Sequence, residues 1–138
     1  GDRVPEKIVL DKETLDLEPS SFIVESIYFD YDKFSITTKS KKELDLLAER
    51  LKKNTNEGIE ISSYADCRGS NQYNINLSRN RSLAVKRYLT LKGVSKSQIR
   101  TKSLGATSFV NNCYQADLCS EEEHSLNRRA EFQFFPLK

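Results

Sequence analysis

An arginine among the apolar residues of a predicted helix is the first feature that needs a chemical explanation. In LSRNRSLAVKRYL (77–89) the apolar residues share one helical face, and Arg81 lies in the middle of that face. Burying a guanidinium without an acceptor is costly because the group keeps its charge. Arg81 is therefore expected to face a carboxylate, which can belong to the protein or to a ligand bound through two parallel hydrogen bonds.

Candidate carboxylates lie where two predicted strands end. Asp30 and Asp32 follow the first strand, and Asp66 follows the second, just before the loop that leads to Arg81. Ligands bind beyond the carboxyl ends of strands in open α/β sheets. From the residues alone, two interpretations stay open. One is a buried Arg81–Asp66 salt bridge that holds the loop, and the other is a binding pair completed by a ligand.

The residue types give less support to catalysis. The one histidine, His124, lies in an acidic loop and has no nucleophile at a recognisable spacing. Cys67 beside Arg68 suggests a thiol of lowered pKa, but no base accompanies it. Asp32 and Asp66 are the residue type that a glycosidase uses in pairs, yet nothing in the sequence fixes their separation. We predict no catalytic residue, no bound metal and no cofactor.

The segment CYQADLC places Cys113 and Cys119 at the ends of a short polar loop. A disulfide, two free thiols and a metal site that includes His124 all fit this spacing. The metal site is the weakest of the three, because zinc sites normally have tighter cysteine pairs and four ligands. In the disulfide interpretation, Cys67 stays unpaired.

The composition is that of one globular domain with a highly charged surface. The 138 residues are 37% hydrophobic and 30% charged, with a net charge of +2. So small a net charge provides no basic surface of the kind that nucleic acid needs, and we predict no nucleic-acid partner. No apolar run approaches the roughly 20 residues of a membrane span, and no signal segment opens the chain. These absences fit either a cytosolic protein or a fragment of a longer exported chain. We favour the fragment, because the chain starts at Gly1 and contains no methionine.

The pattern of residues divides the chain into a linker, or the tail of a preceding domain, over 1–20 and one domain over 21–138. The domain starts with a strand that ends near Asp30. A helix in SKKELDLLAERLKKN follows, and Ser40 and Glu43 fit a capping box at its start.

The second strand is GIEISSYA, and the Arg81 helix after it is expected to end before Gly93. SQIRTKSLGA and NRRAEFQFF are the third and fourth strands. The segment NRR (127–129), at the start of the fourth strand, is expected to anchor the preceding polar loop through ion pairs and backbone hydrogen bonds, and Phe132 is expected to face the core. This βαβαββ order predicts an α/β two-layer sandwich, in which a mixed four-stranded sheet carries both helices on one face.

Four segments together resemble the C-terminal domains of the OmpA family, a group that includes peptidoglycan-associated lipoproteins. They are YFDYDKF, IEISSYADCRGSNQYNINLSRNRSLAVKRYL, LGA and NRRAEFQF, and the match covers about residues 22–136. The resemblance implies non-covalent binding of peptidoglycan through the diaminopimelate of its stem peptide. It also implies that the domain anchors an outer-membrane protein to the wall, on the periplasmic side of a Gram-negative outer membrane. The expected partners are peptidoglycan and, through the rest of the chain, that membrane.

The resemblance also assigns binding residues. The family's binding aspartate falls on Asp66, and its binding arginine, fifteen positions later, falls on Arg81. Its supporting contacts fall on Tyr31, Asp32, Asn74 and Leu77. The side-chain end of diaminopimelate is a zwitterion, so Asp66 is expected to receive the ammonium and Arg81 the carboxylate. Because exported proteins keep disulfides, the resemblance favours the Cys113–Cys119 bridge.

Two features depart from the family pattern. Tyr64 and Ala65 stand where the family usually has His-Thr, and the cysteine-bracketed loop replaces a shorter segment. The second departure leaves open a protein-interaction module that acts through the loop 107–125. A third hypothesis is an enzyme that acts on cell-wall peptide.

Overall fold

A mixed four-stranded sheet packs against two long helices in the computed structural model, which describes residues 24–137. The strands are β1 (Ile27–Tyr28), β2 (Glu57–Ser63), β3 (Ile99–Ser103) and β4 (Arg129–Pro136). The helices are α1 (Thr38–Lys53), α2 (Asn71–Leu91) and the short α3 (Glu121–Ser125). The predicted two-layer α/β architecture is confirmed. The predicted linker over 1–20 lies outside the described residues.

The order of the strands across the sheet is β1-β4-β2-β3. β2 and β3 are parallel, with Ile59 opposite Ile99, whereas β4 is antiparallel to both of its neighbours. β1, β2 and β3 therefore run in one direction, and β4 lies between β1 and β2 in the other. As a result, the amino end of β4 lies at the same edge of the sheet as the carboxyl ends of β1, β2 and β3.

One hydrophobic core joins both long helices to one face of the sheet. Leucines of α1 and α2, such as Leu47 and Leu89, are fully buried together with Ile61 of β2. On β4, Ala130 is buried and Phe132 packs partly buried against the same core, as predicted. No helix within residues 24–137 is both long enough and apolar enough to cross a membrane.

The helix ends correct one prediction and confirm another. The predicted capping box of Ser40 and Glu43 is wrong: α1 begins one turn earlier, because Thr37 is the N-cap and its Oγ1 accepts a hydrogen bond from the Ser40 amide (3.2 Å). Ser40 is buried inside the first turn. At the other long helix, Gly93 follows the C-cap of α2 with φ +104°, a conformation that favours glycine.

The polar segment between β3 and β4 (104–128), here called the stapled loop, contains an internal disulfide and is held to the start of β4 by hydrogen bonds. Cys113 and Cys119 form a disulfide with 5.7 Å between their Cα atoms, which confirms the predicted bridge. Cys67 is a free thiol, as expected. The predicted anchoring of this loop is also confirmed, because the Asn127 side chain accepts from the Val110 amide (2.9 Å) and Arg129 Nη2 donates to the Ser108 carbonyl (2.8 Å).

Candidate functional site

Asp66 lies three residues beyond the end of β2 and is nearly buried, with 4% of its surface exposed. Arg68 binds both of its carboxylate oxygens. The Arg68 main-chain amide and Nε donate to Oδ1 (3.0 and 3.2 Å), and Nη2 donates to Oδ2 (2.9 Å). This two-pronged geometry is the strong form of a guanidinium–carboxylate pair.

Arg128 reaches the same carboxylate from the amino end of β4. Its Nη1 lies 3.4 Å from Asp66 Oδ2, and its Nε donates to the Phe29 carbonyl (2.9 Å) at the end of β1. Glu121, the first residue of α3, accepts from both guanidiniums: its Oε2 lies 2.8 Å from Arg68 Nη1, and its Oε1 lies 2.9 Å from Arg128 Nη1. Asp66, Arg68, Glu121 and Arg128 thus form a charge cluster in which two acids share two guanidiniums.

Asp66 and Arg68 are both ionised at neutral pH. Burial acts to raise the pKa of Asp66, but the hydrogen bonds from the side chain and main chain of Arg68 outweigh it, so the pKa lies below its ordinary value. The hydrogen bond to Asp66 likewise raises the pKa of Arg68. Asp66 is therefore a fixed anion in a nearly dry position.

Arg81 lies beneath this cluster with no exposed surface, and its acceptors are main-chain carbonyls. Its Nε donates to Lys33 (2.9 Å), Nη1 to Tyr64 (3.2 Å) and Nη2 to Asp30 (3.2 Å). Burial, helped by the charge of Arg128, lowers the pKa of Arg81 to about 10. In the described part of the chain no ion pair joins Arg81 to Asp66, so the salt bridge considered from the sequence does not form. We call the three hydrogen bonds from Arg81 to the carbonyls of Lys33, Tyr64 and Asp30 the carbonyl clamp.

The carbonyl clamp holds the turn after β1, which carries two of the predicted site residues. The Lys33 amide donates to the Asp30 carbonyl (3.1 Å), and Asp32 takes a left-handed conformation with φ +60°. Aspartate tolerates this region better than most residues. The half-exposed Tyr31 ring lies 4.2 Å from the Arg68 guanidinium, measured from the ring centroid, so it joins the turn to the charge cluster.

The remaining predicted site residues, Asn74 and Leu77, lie on the first turns of α2. Both are buried, and Asn74 sits behind Gly69, whose φ of +102° turns the loop towards the helix. Arg68, Glu121 and Arg128 are site residues that the sequence alone did not predict. The signal for Arg128 is the antiparallel last strand, whose amino end must meet the carboxyl ends of the others.

The geometry also bears on the catalytic alternatives. The suggested lowering of the Cys67 thiol pKa is wrong, since burial, with the charge of Asp66 adding to it, raises that pKa. His124 is buried with Nε2 2.9 Å from the Ala116 carbonyl oxygen. Cys113 and Cys119 are joined in the disulfide, which leaves neither thiol to bind a metal ion.

Comparison with known proteins identifies the family. Residues 28–121 match the model of the OmpA family. The chain belongs to that family. A peptidoglycan-associated lipoprotein of Buchnera aphidicola subsp. Baizongia pistaciae (strain Bp) is 38% identical over 105 residues, which are 76% of this chain and 58% of the relative. A peptidoglycan-associated lipoprotein of Pseudomonas putida is 34% identical over 110 residues, 80% of this chain and 63% of the relative.

Solved OmpA-family structures share the fold. The crystal structure of the peptidoglycan-associated lipoprotein from Burkholderia pseudomallei superimposes with a TM-score of 0.73 at 33% identity, covering 80% of this chain and 89% of that one. The family predicted from the sequence is thereby confirmed. The chain spans about three fifths of the length of the two curated relatives named above.

Proposed function

We propose that this chain binds peptidoglycan non-covalently and anchors an outer-membrane protein, of which it is a part, to the cell wall. Two relatives at 38% and 34% identity are named peptidoglycan-associated lipoproteins, which supports this function and a place in the cell envelope. The corresponding location is the periplasmic side of a Gram-negative outer membrane. The observation that carries the proposal is the ionised, nearly buried Asp66 with guanidiniums beside it, at the sheet edge where ligands bind in α/β folds.

The proposed ligand group is the side-chain end of diaminopimelate, an ammonium next to a carboxylate. Asp66 supplies the fixed anion for the ammonium, because its lowered pKa keeps it charged well below neutral pH. The guanidiniums supply the positive side for the carboxylate. Tyr31 and Asp32 on the turn, with Asn74 and Leu77 on α2, are the proposed walls of the site.

Arg81 has two roles in this proposal. Through the carbonyl clamp it fixes the turn that carries Tyr31 and Asp32, and its charge makes the floor of the site positive. Because Arg81 has no exposed surface, it reaches the ligand carboxylate only when the turn at 30–33 releases its carbonyls. Binding through Arg81 is therefore coupled to movement of that turn.

The proposed function involves no catalysis. A general acid needs a pKa raised towards the working pH, whereas the pKa of Asp66 is lowered and its oxygens are bound by Arg68 and Arg128. The Cys67 thiol, with its raised pKa, is a poor nucleophile at neutral pH. These properties suit a residue set that holds a ligand without cleaving it.

A protein-interaction module is the second candidate function. It is favoured by exposed apolar side chains on the stapled loop, where Val110, Tyr114 and Leu118 are each at least half exposed. An apolar surface on a loop held by a disulfide can bind a partner protein with little loss of conformational entropy.

One experiment separates these functions. The chain is incubated with insoluble peptidoglycan, and both the sedimented protein and the released soluble fragments are measured. Retention without release is the expected result. Release of fragments would show an enzyme, and absence of retention would favour the interaction module. Asp66→Asn, which keeps the size of the side chain and removes its charge, is expected to reduce retention.

A further inference from the structure

Arg68 covers the carboxylate to which the proposed ligand binds. Its guanidinium occupies both oxygens of Asp66, and the side chain of Asp66 retains only 5% exposure. An incoming ammonium must therefore displace a guanidinium before it can pair with Asp66. Arg128 cannot easily move away from Asp66, because its Nε donates to the Phe29 carbonyl and its side chain is only 8% exposed. The Arg68 side chain is 24% exposed and lies on the loop between β2 and α2.

A displaced Arg68 needs another anion, and within residues 24–137 Glu121 is the only carboxylate besides Asp66 that it already contacts. Glu121 accepts from Arg68 Nη1 at 2.8 Å, and it is 58% exposed, so it faces solvent on its other side. Glu121 also pairs with Arg128, which contacts Asp66 as well. A ligand that brings a carboxylate beside its ammonium supplies a second anion at the place where Arg68 loses Asp66. A plain alkyl ammonium supplies none.

We propose that Arg68 is a specificity-determining residue of this site: it closes Asp66 in the free protein, and it makes the site select an ammonium with an adjacent carboxylate over a plain alkyl ammonium. Glu121 positions Arg68 by competing with Asp66 for its guanidinium. The exchange replaces one ion pair at Asp66 with another and forms a new pair between Arg68 and the ligand carboxylate. This inference rests on the proposed function and assigns its selectivity to residues other than Asp66 and Arg81.

The test compares two soluble stem tripeptides that are identical except that lysine replaces diaminopimelate in one. Binding of each to the 138-residue chain is measured by calorimetry for the wild type and for Arg68→Gln. The lysine peptide is expected to bind Arg68→Gln more tightly than the wild type, because its competitor for Asp66 is gone. The preference for the diaminopimelate peptide is expected to fall about fivefold, the effect of one partly exposed ion pair.

Glu121→Gln should act in the opposite direction. Arg68 then pairs with Asp66 alone, so the lysine peptide binds about two- to fivefold more weakly and the preference for diaminopimelate rises. Glu122→Gln is the matched control, because Glu122 is an exposed neighbour of the same type outside the charge cluster, and it should leave the preference unchanged. In the Arg68→Gln background, Glu121→Gln should have no further effect on the preference.

The outcomes separate this inference from the proposed function. If the wild type binds the diaminopimelate peptide but Arg68→Gln keeps the full preference, or binds the lysine peptide more weakly, the role given to Arg68 is wrong. An equal effect of Glu121→Gln with and without Arg68 would also overturn it. If neither the wild type nor Arg68→Gln binds either peptide or insoluble peptidoglycan, the proposed function itself fails.

Discussion

Replacing Arg81 by leucine removes the carbonyl clamp and leaves an apolar side chain that faces three carbonyls and the Phe29 ring. Three carbonyls lose a charged donor, and the contact with Tyr64 is fully buried, whereas those with Asp30 and Lys33 lie nearer to solvent. A hydrogen bond to a charged group contributes about 1.5 to 3 kcal/mol, and a buried carbonyl left without a partner costs about 1 to 3 kcal/mol. Water can reach the two outer carbonyls, and leucine gains burial. We therefore expect a net loss of about 2 to 4 kcal/mol in the free energy of unfolding.

Urea unfolding of the wild type and Arg81→Leu measures this difference directly. Arg79→Leu is the control, because Arg79 is exposed on the same helix, and its stability should stay within about 0.5 kcal/mol of the wild type. An Arg81→Leu protein as stable as the wild type would refute the carbonyl clamp as a stabilising feature.

Binding by the same variant tests the second role of Arg81. At a temperature where Arg81→Leu is folded, we expect it to lose retention on peptidoglycan, because the floor of the site has lost its charge and the ligand carboxylate has lost a guanidinium partner. Lysine at this position should restore retention poorly, since a point charge cannot serve three carbonyls in a plane. A folded Arg81→Leu protein that binds as well as the wild type would remove Arg81 from the site.

Three further predictions concern the disulfide, the core and the pH dependence. Titration of unfolded, unreduced protein should find one reactive thiol, because Cys113 and Cys119 are bonded; three reactive thiols would contradict this. Phe132→Ala should lower the free energy of unfolding by about 2 kcal/mol in denaturant melts, less than for a fully buried phenylalanine, while the exposed Gln133→Ala stays near wild type. Folding lowers the pKa of Asp66, so the ionised carboxylate contributes to the free energy of unfolding. This contribution is complete above the ordinary pKa near 3.9 and is lost as the pH falls through the folded pKa. Below about pH 4 the wild type should therefore lose stability more steeply than Asp66→Asn.

The periodicity of the sequence predicted the architecture because most residues obey one dominant requirement, burial of apolar surface. The alternation around Phe132 fixes which face of β4 meets the helices, and Gly93 marks the end of α2 because its backbone is left-handed. The cap of α1 was misplaced for a local reason. Thr37 and Ser40 are both capable N-caps three residues apart, and the burial of Ser40 favours Thr37.

The site was only partly predictable, because its charges pair across elements that are distant in sequence. Asp66 is correctly placed at a strand end, but its partners are Arg68, two positions away, and Arg128, 62 positions away. The acceptors of Arg81 are main-chain carbonyls, and no side-chain pattern in a sequence indicates these. Only the position of β4 between β1 and β2 brings Arg128 and Glu121 to Asp66.

The central claim is that Asp66 binds the ammonium of a peptidoglycan stem peptide, and calorimetric titration with the soluble diaminopimelate tripeptide tests it most directly. The wild type should bind saturably, and Asp66→Asn should bind about ten- to a hundredfold more weakly, since it loses one charged hydrogen-bonded contact. Asp117→Asn, a change of the same type at an exposed acid on the stapled loop, should bind like the wild type. Equal affinity of Asp66→Asn and the wild type would contradict the claim.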